Sequence, residues 1–170
     1  MIEIAGLTPF TTIDYPGKLA AVLFCQGCPW RCSYCHNCNL QSFGPGTVSW
    51  NSVLKFLEQR IGLLDAVVFS GGEPSLQIKL PFAMEQIRKM GFKIGLHTAG
   101  IHSHALKRAL PFVNWVGMDI KAPFKEYDRI TKTIRSGDEA KKCAHLIIES
   151  EAEYEFRTTV HPNLLSPMDI

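Results

Sequence analysis

Residues 19–35 read LAAVLFCQGCPWRCSYC, an uninterrupted apolar run that leads directly into a loop rich in cysteine. A short continuous apolar run is typical of a strand that is buried on both faces. Residues 66–74 repeat the arrangement with AVVFSGGEP, where the apolar run leads into a Gly-Gly turn. Both stretches therefore predict a buried strand whose carboxyl end carries an unusual loop.

The remainder of the chain alternates between short apolar segments and amphipathic ones. Strands are predicted over residues 19–24, 66–69, 92–97, 113–120 and 153–160. Helices are predicted from a cap at Ser49 to about residue 60, over 79–90 and 102–110, and in patches at 125–132 and 138–148. Strands that alternate with helices pair in parallel through right-handed crossovers. The pattern therefore predicts an α/β fold: a partial β/α barrel of about five βα units, formed as a single domain over residues 1–170.

The last residues carry a helix-start signal with no helix after it. Ser166 is a suitable cap, Pro167 suits the first helical position, and Asp169 adds an acid to the first turn. The chain stops one residue later, at Ile170. We therefore expect that a sixth βα unit is missing and that the barrel is truncated.

The composition excludes several classes of protein. The 170 residues are 46% hydrophobic and 20% charged, which suits one globular domain and excludes a disordered chain or a disulfide-stapled miniature protein. The formal net charge of +2 gives no electrostatic reason to expect a nucleic acid or a membrane surface as partner. Neither a secretory signal nor a run of roughly 20 apolar residues occurs, so we expect a cytoplasmic protein whose thiols stay reduced.

Five of the six cysteines fall within residues 25–38, and such a cluster indicates a metal site. In one interpretation Cys28, Cys32 and Cys35 hold three irons of a [4Fe-4S] cluster and leave the fourth iron open for a small molecule. In the other, two Cys-x₂-Cys knuckles hold a structural zinc: Cys25 with Cys28, and Cys35 with Cys38. The six-residue spacer between these knuckles is shorter than the roughly 15 residues of a zinc ribbon. A zinc-stabilised α/β binding module is the corresponding non-enzyme hypothesis.

Other cysteines and histidines have simpler explanations. Cys143 is expected to pack as a small apolar side chain, and so is Cys25 if a cluster forms. Cys38 is then a spare thiol. The histidines at 97, 102 and 104 offer a metal set, although three histidines in a loop and a helix start are more often simply exposed.

Two motifs resemble those of the radical S-adenosylmethionine (SAM) enzymes. Residues 28–36, CPWRCSYCH, are similar to the cluster motif of that superfamily, including the aromatic residue before the third cysteine. Residues 70–74, SGGEP, are similar to its Gly-Gly-Glu-Pro motif, and both motifs follow a predicted strand. The stretches TTIDYPGK at 11–18 and YCHN at 34–37 resemble the activating enzymes of glycyl-radical proteins, above all those of anaerobic ribonucleoside-triphosphate reductase.

This resemblance implies an activity, its cofactors and its partners. SAM binds the open iron of a [4Fe-4S] cluster, an electron from the cluster breaks the S–C5′ bond, and the resulting radical takes a hydrogen from a glycine. The implied partners are an anaerobic ribonucleotide reductase as protein substrate and a flavodoxin- or ferredoxin-type electron donor. Two alternatives share the motifs and stay open: an activase of another glycyl-radical enzyme, such as pyruvate formate-lyase, and a radical enzyme that acts on a small molecule.

The resemblance also implies a set of site residues. The implied cluster ligands are Cys28, Cys32 and Cys35, and the implied SAM-binding residues are Tyr34, Gly71, Gly72, Glu73, Thr98, Asp119, Lys121 and Arg157. The two glycines let the backbone approach the methionyl end of SAM, because a side chain there would clash. In the same comparison Glu73 lies near that end and Tyr34 lies beside the adenine. Arg157 suits a carboxylate, which it can hold by two hydrogen bonds.

Several of these residues also have a plainer interpretation. The two glycines also suit a tight turn, Asp119 and Lys121 a surface ion pair, and Arg157 a solvated strand position. One residue departs from the family: His97 precedes Thr98 where related activases often carry an aspartate. The resemblance therefore does not extend to the cation site that this aspartate implies.

Overall fold

The computed structural model describes residues 2–166 and Asp169. These residues form a six-stranded sheet whose strands lie side by side in chain order. The strands are β1 (Ile4–Thr11), β2 (Ala20–Cys25), β3 (Ala66–Gly71), β4 (Lys93–Thr98), β5 (Trp115–Asp119) and β6 (Glu153–Arg157). The strands from β2 to β6 pair in parallel, whereas β1 is antiparallel to β2. The sheet is open, with β1 and β6 as its edges, and does not close into a barrel.

Helices connect the parallel strands. In the described residues they are α1 (Trp50–Glu58), α2 (Leu80–Lys89), α3 (Ser103–Ala109), α4 (Tyr127–Thr131) and α5 (Ser136–Ile148). The cap of α1 is the predicted one, because the Ser49 hydroxyl oxygen accepts a hydrogen bond from the Ser52 backbone N–H at 3.1 Å. Among the helices described, none is both long enough and apolar enough to cross a membrane.

The α/β prediction is confirmed, and the five predicted strands correspond to β2 to β6. The last of them ends at Arg157, before the predicted end at 160. The edge strand β1 was not predicted, because Gly6 and Pro9 interrupt its pattern; an edge strand tolerates both residue types. The helix-start signal at the end of the chain includes Pro167 and Met168, which lie outside the described residues, so the missing sixth unit stays a prediction.

The two faces of the sheet bury different side chains, since successive residues of a strand point to opposite faces. One face packs against the helices and forms the main core, which includes Leu23, Phe69 and Met118. The other face carries mainly alanine and valine, and Tyr15 from the β1–β2 loop packs over it and stacks on Trp115, with ring centroids 5.3 Å apart. The helical layer therefore covers one face, while strand and loop side chains fill the other.

The carboxyl ends of the parallel strands lie together on one side of the sheet. We call this row of strand ends the carboxyl edge, as distinct from the edge strands β1 and β6. Register places their last residues side by side: Cys25 pairs with Gly71 across β2 and β3, and Asp119 pairs with Arg157 across β5 and β6. Residues that lie far apart in sequence therefore meet there. In open α/β sheets this edge is where ligands bind.

Candidate functional site

A cavity of about 230 Å³ opens at the carboxyl edge, and we call it the edge cavity. Most of the predicted site residues line it: Cys28, Cys32, Tyr34, Cys35, Gly71, Gly72, Thr98, Asp119, Lys121 and Arg157. Glu73 is the exception, since it is fully buried and lies outside the cavity wall. The fold therefore brings residues from the ends of five strands into one site.

The cysteine loop, residues 25–38, is held in place by its own backbone and by the segment that follows it. Gly27 N–H donates to the Leu40 carbonyl at 2.8 Å, so the start of the loop lies next to the segment that follows its last residue. Within the loop, Cys35 N–H donates to the Cys32 carbonyl at 3.1 Å. These two cysteines and Cys28 are free, half-buried and part of the cavity wall. The loop thus presents three thiols to one space.

Cys25 and Cys38 do not join the other three cysteines of the loop. Cys25 ends β2 with no exposed surface and packs in the main core, as the cluster interpretation predicts. Cys38 is exposed and is not part of the cavity wall. Throughout the part of the chain that the structure describes, no three His, Cys, Asp or Glu side chains are arranged to hold one metal ion. Cys25 in the core and Cys38 at the surface therefore do not share one site with the three cysteines of the cavity wall.

The three thiols of the cavity wall fit an iron–sulfur cluster. Each thiolate binds a different iron of such a cluster, so the sulfur atoms need only surround it and need not converge on one ion. Burial is the main cause that raises the pKa of Cys28 to about 11; a hydrogen bond from the Trp30 backbone opposes it, and the charges of Glu73, Cys32 and Cys35 add to it. Metal coordination deprotonates a thiol outright, so a bound cluster would offset the cost of burying the Cys28 thiolate.

Gly71 and Gly72 are required by the cysteine loop itself. Gly71 has a φ of 111°, which L side chains rarely adopt, and a Cβ there would overlap the backbone of Cys25. A Cβ on Gly72 would overlap the Gly27 carbonyl and lie 2.9 Å from the carbonyl oxygen of Leu40. The two glycines therefore allow the turn after β3 to pack directly against the cysteine loop. Their role toward SAM stays a prediction.

Glu73 links the end of β3 to the end of β4. Its Oε1 accepts hydrogen bonds from the Thr98 hydroxyl (2.7 Å) and the Ser75 N–H (3.1 Å), and its Oε2 accepts from the Ala99 N–H (2.8 Å). Burial raises the pKa of Glu73, and these hydrogen bonds oppose that effect. Since both carboxylate oxygens are engaged within the protein, Glu73 acts here as a positioning residue, and direct contact with SAM stays a prediction.

Asp119 and Lys121 form an ion pair in the cavity wall, with Nζ 3.3 Å from Oδ2. Lys121 does not belong to a surface ion pair, because its side chain is only 9% exposed. Its Nζ lies 5.6 Å from the ring centre of Tyr34, and its backbone N–H donates to the Tyr127 hydroxyl at 3.0 Å. Burial is the largest single influence and lowers the pKa of Lys121, but the charges of Asp119, Tyr34 and Cys32 and the hydrogen bond to Asp119 together outweigh burial, so the pKa of the lysine is raised. A permanent ammonium group therefore faces the cavity.

Arg157 supplies a second cation to the cavity wall. Its guanidinium lies over Gly117, where a Cβ would overlap it, and 5.6 Å from the ring centre of Trp115. Its Nε is 3.3 Å from a carboxylate oxygen of Glu155, yet this buried Nε makes no hydrogen bond. The guanidinium lines the cavity, and its N–H groups suit an anionic ligand group.

The three histidines do not form a metal set. His97 lies in the cavity wall, donates from Nε2 to the Asp14 carbonyl at 2.8 Å, and packs edge-on against Trp115. Burial is the main cause that lowers the pKa of His97, so its ring is neutral at neutral pH. His102 instead caps α3, where its Nδ1 accepts from the Ala105 N–H at 3.3 Å. These two histidines therefore have separate structural contacts.

The cavity wall contains further side chains that the sequence did not single out: Trp30, His36, Asn37, Gln41, Ser70 and Thr159. Asn37 donates from its side chain to the Gly71 carbonyl at 3.3 Å and so joins the two motifs. Trp30 is buried and packs edge-on against Tyr127, with ring centroids 6.0 Å apart. Trp30 and Asn37 could have been predicted as site residues because they lie beside the cysteines in sequence. Tyr127 is a single aromatic residue in a helix, and its sequence position does not indicate a role in the site.

Replacing Glu73 by glutamine is expected to destabilise the fold. The amide NH₂ would take the place of one carboxylate oxygen and face a donor, so a buried N–H or O–H would lose its acceptor. The free energy of unfolding should fall by about 1–3 kcal/mol, measured from urea denaturation at constant m value.

The matched control is Glu85→Gln on α2, which removes only an exposed carboxylate paired with Lys89 at 2.8 Å. This change should alter the free energy of unfolding by less than about 0.5 kcal/mol. Equal urea midpoints for the two variants would contradict the positioning role of Glu73.

The chain is similar to proteins of one family. The family model of the Radical SAM superfamily matches residues 22–164. A protein of Methanocaldococcus jannaschii named as a glycyl-radical enzyme activating enzyme is 29% identical over 174 residues, which cover 98% of this chain and 72% of that protein. The pyruvate formate-lyase-activating enzyme of Clostridium pasteurianum is 33% identical over 126 residues. That alignment covers 71% of this chain but only 50% of the enzyme.

A solved structure shares the fold. The crystal structure of QueE from Escherichia coli superimposes with a TM-score of 0.56 at 17% sequence identity, covering 93% of this chain and 94% of that one. This likeness concerns the architecture alone. The family match begins within β2, runs through β6 and includes both motifs of the edge cavity. The chain therefore belongs to the radical SAM superfamily, and this membership implies SAM and an iron–sulfur cluster as its cofactors.

Proposed function

We propose that this chain is the catalytic core of a glycyl-radical activating enzyme that uses a [4Fe-4S] cluster and SAM to generate a glycyl radical on anaerobic ribonucleotide reductase. The observation that carries the proposal is the edge cavity, where three free thiols meet the Gly-Gly turn and two cations. The activating-enzyme names of the two relatives support the class of function. The stretches at 11–18 and 34–37 support the reductase as target through their resemblance.

The cysteine loop is the part that would hold the cluster, through Cys28, Cys32 and Cys35. When bound, a cluster with one iron free of protein ligands supplies the electron that breaks the S–C5′ bond of SAM. The loop keeps the thiols half-buried, which limits access of water and oxidants. The neighbouring Lys121 ammonium lowers the pKa of Cys32 against the larger effect of burial, so it favours the thiolate that iron needs.

The charged side chains of the cavity wall suit the polar groups of SAM. The Arg157 guanidinium, which lines the cavity, would hold the methionyl carboxylate. The Asp119 carboxylate is about half exposed and would accept hydrogen bonds from an amine or from ribose hydroxyls. Tyr34, held beside Lys121, offers a ring face to the adenine. These assignments divide the ligand between the ends of β5 and β6 and the cysteine loop.

A second candidate is an activase of the pyruvate formate-lyase type. The name of the Clostridium pasteurianum relative favours it. Both candidates require the same cofactor chemistry and differ only in the protein that receives the radical, so one experiment separates them.

The deciding experiment is anaerobic reconstitution followed by incubation with SAM, reductant and either glycyl-radical protein. We expect about four irons and four sulfides per chain, and a glycyl doublet in electron paramagnetic resonance with the ribonucleotide reductase only. Cys32→Ala should abolish the signal, because it removes a cluster ligand. Cys38→Ala, which changes an exposed thiol outside the cavity wall, should retain it.

Other outcomes of this experiment overturn the proposal in distinct ways. A glycyl signal with pyruvate formate-lyase alone would favour the second candidate. One zinc and no iron per chain would refute the cofactor assignment itself. Equal loss of signal in the Cys32 and Cys38 variants would refute the three-cysteine ligand set.

Arg157→Gln is expected to weaken SAM binding. A hydrogen bond to a charged group contributes about 1.5–3 kcal/mol, so the dissociation constant for SAM should rise by roughly 10- to 100-fold. The control is Arg60→Gln, which changes a cation stacked on Phe56, outside the edge cavity. Equilibrium binding of SAM to the reconstituted protein measures both effects, and equal affinities in the two variants would remove Arg157 from the site.

A further inference from the structure

We infer that Trp115 is a positioning residue that holds the Arg157 guanidinium in the wall of the edge cavity. This inference rests on the proposed function, in which Arg157 binds the methionyl carboxylate of SAM. Trp115 is the first residue of β5, is only 4% exposed and lies outside the cavity wall, whereas Arg157 lies within it. Trp115 therefore acts on the ligand through Arg157, and the loop between β1 and β2 in turn fixes Trp115.

The residues of this arrangement lie on one face of the sheet, the face that the helices do not cover. Successive strand residues point to opposite faces, so Trp115 and Gly117 of β5 share this face with the apolar cluster to which Trp115 belongs. Register places Gly117 beside His97 of β4 and beside Glu155 of β6. Arg157 follows Glu155 by two residues and so points to the same side. His97, Trp115 and Arg157 are therefore neighbours on one surface.

Two glycines on this face provide the space that the larger side chains occupy. A Cβ on Gly117 would overlap the Arg157 guanidinium and lie 2.8 Å from the Trp115 ring. Gly95 pairs with Trp115 across β4 and β5, and a Cβ on Gly95 would lie 3.0 Å from the Tyr15 ring. Because neither glycine has a side chain, Tyr15 and the guanidinium both reach the indole of Trp115.

The contact with Trp115 orders the Arg157 guanidinium before any ligand binds. The central guanidinium carbon lies over the indole, 5.6 Å from its ring centre, which is the geometry of a cation–π interaction. The other partner of the guanidinium is Glu155, 3.3 Å from Nε, but the two side chains are 37% and 43% exposed. An ion pair this exposed orders a side chain only weakly. A side chain that is already ordered loses less conformational entropy on binding, so the indole increases the affinity for the ligand.

The loop between β1 and β2 fixes Trp115 by two contacts. Tyr15 is buried and stacks on the indole, with ring centroids 5.3 Å apart. His97 packs edge-on against the indole at 5.5 Å, and its Nε2 donates to the Asp14 carbonyl at 2.8 Å. Burial is the main cause that lowers the pKa of His97, so its neutral ring does not repel the guanidinium. The stretch at 11–18 therefore supports the cavity wall from outside the residues that line it.

The test is equilibrium binding of SAM to the reconstituted chain and to its Trp115→Leu and Trp115→Phe variants. We expect Trp115→Leu to raise the dissociation constant roughly 3- to 10-fold, because leucine offers no ring to the guanidinium. Trp115→Phe keeps a ring face and should restore most of the affinity. The control is Trp50→Leu, which removes an equally buried tryptophan, also 4% exposed, from α1 in the main core. This control should bind SAM within about twofold of the unmodified chain.

A double-mutant cycle separates positioning from a general effect on the fold. Trp115→Leu is measured again in the Arg157→Gln background, where the side chain that it positions is absent. Since Trp115 acts through Arg157, the second substitution should then change the dissociation constant by less than about twofold, whereas independent effects would multiply. If Trp115→Leu fails to fold, Tyr15→Leu takes its place in both backgrounds. We expect it to weaken binding roughly 2- to 3-fold when Arg157 is present and to have no effect when Arg157 is replaced.

The possible outcomes distinguish this inference from the proposed function. Unchanged affinity in Trp115→Leu, an equal loss in Trp50→Leu, or a multiplied loss in the Arg157→Gln background would overturn the inference. Each of these results leaves the proposed function intact, because the unmodified chain still binds SAM. No binding of SAM by the unmodified reconstituted chain would defeat the proposed function and the inference together.

Discussion

The site depends on the close backbone contact between the end of β3 and the start of the cysteine loop. Parallel pairing sets Cys25 opposite Gly71, and two further hydrogen bonds extend the contact beyond the strands. Gly72 N–H donates to the Cys25 carbonyl and Glu73 N–H donates to the Gly27 carbonyl, each at 2.9 Å. Only glycine at 71 and 72 allows this approach, because any Cβ would overlap the opposing backbone. The two motifs form one structure as a result.

The same contact organises the rest of the carboxyl edge. Glu73 follows the two glycines directly, and its buried carboxylate binds groups at the end of β4. Across the sheet, Asp119 pairs with Arg157, and both residues line the edge cavity together with Lys121 and the three thiols. The alternation of strands and helices produces the layers and the carboxyl edge. The two glycines and Glu73 set the distances between the loops at that edge. This division explains why an open sheet of modest size can form a cavity with several polar groups.

Much of this arrangement could be predicted from the sequence, and the parts that could not share a physical cause. Short apolar runs and caps predicted β2 to β6 and the helices, because burial sets those patterns locally. The antiparallel edge strand β1 was not predicted. It contains Gly6 and Pro9, which an edge strand tolerates, so its residues do not form a recognisable strand pattern. The hydrogen bonds of Glu73 and the place of the Arg157 guanidinium over Gly117 and beside Trp115 depend on contacts across the sheet, which residue type and spacing do not specify.

The proposed cofactor site is tested by a crystal structure of the reconstituted chain, grown without oxygen and in the presence of SAM. We expect a four-iron cluster held by the sulfur atoms of Cys28, Cys32 and Cys35, with its fourth iron bound by the methionyl group beside the Gly-Gly turn. A zinc ion on these thiols, a cluster ligated by Cys25 or Cys38, or SAM bound away from the edge cavity would contradict it.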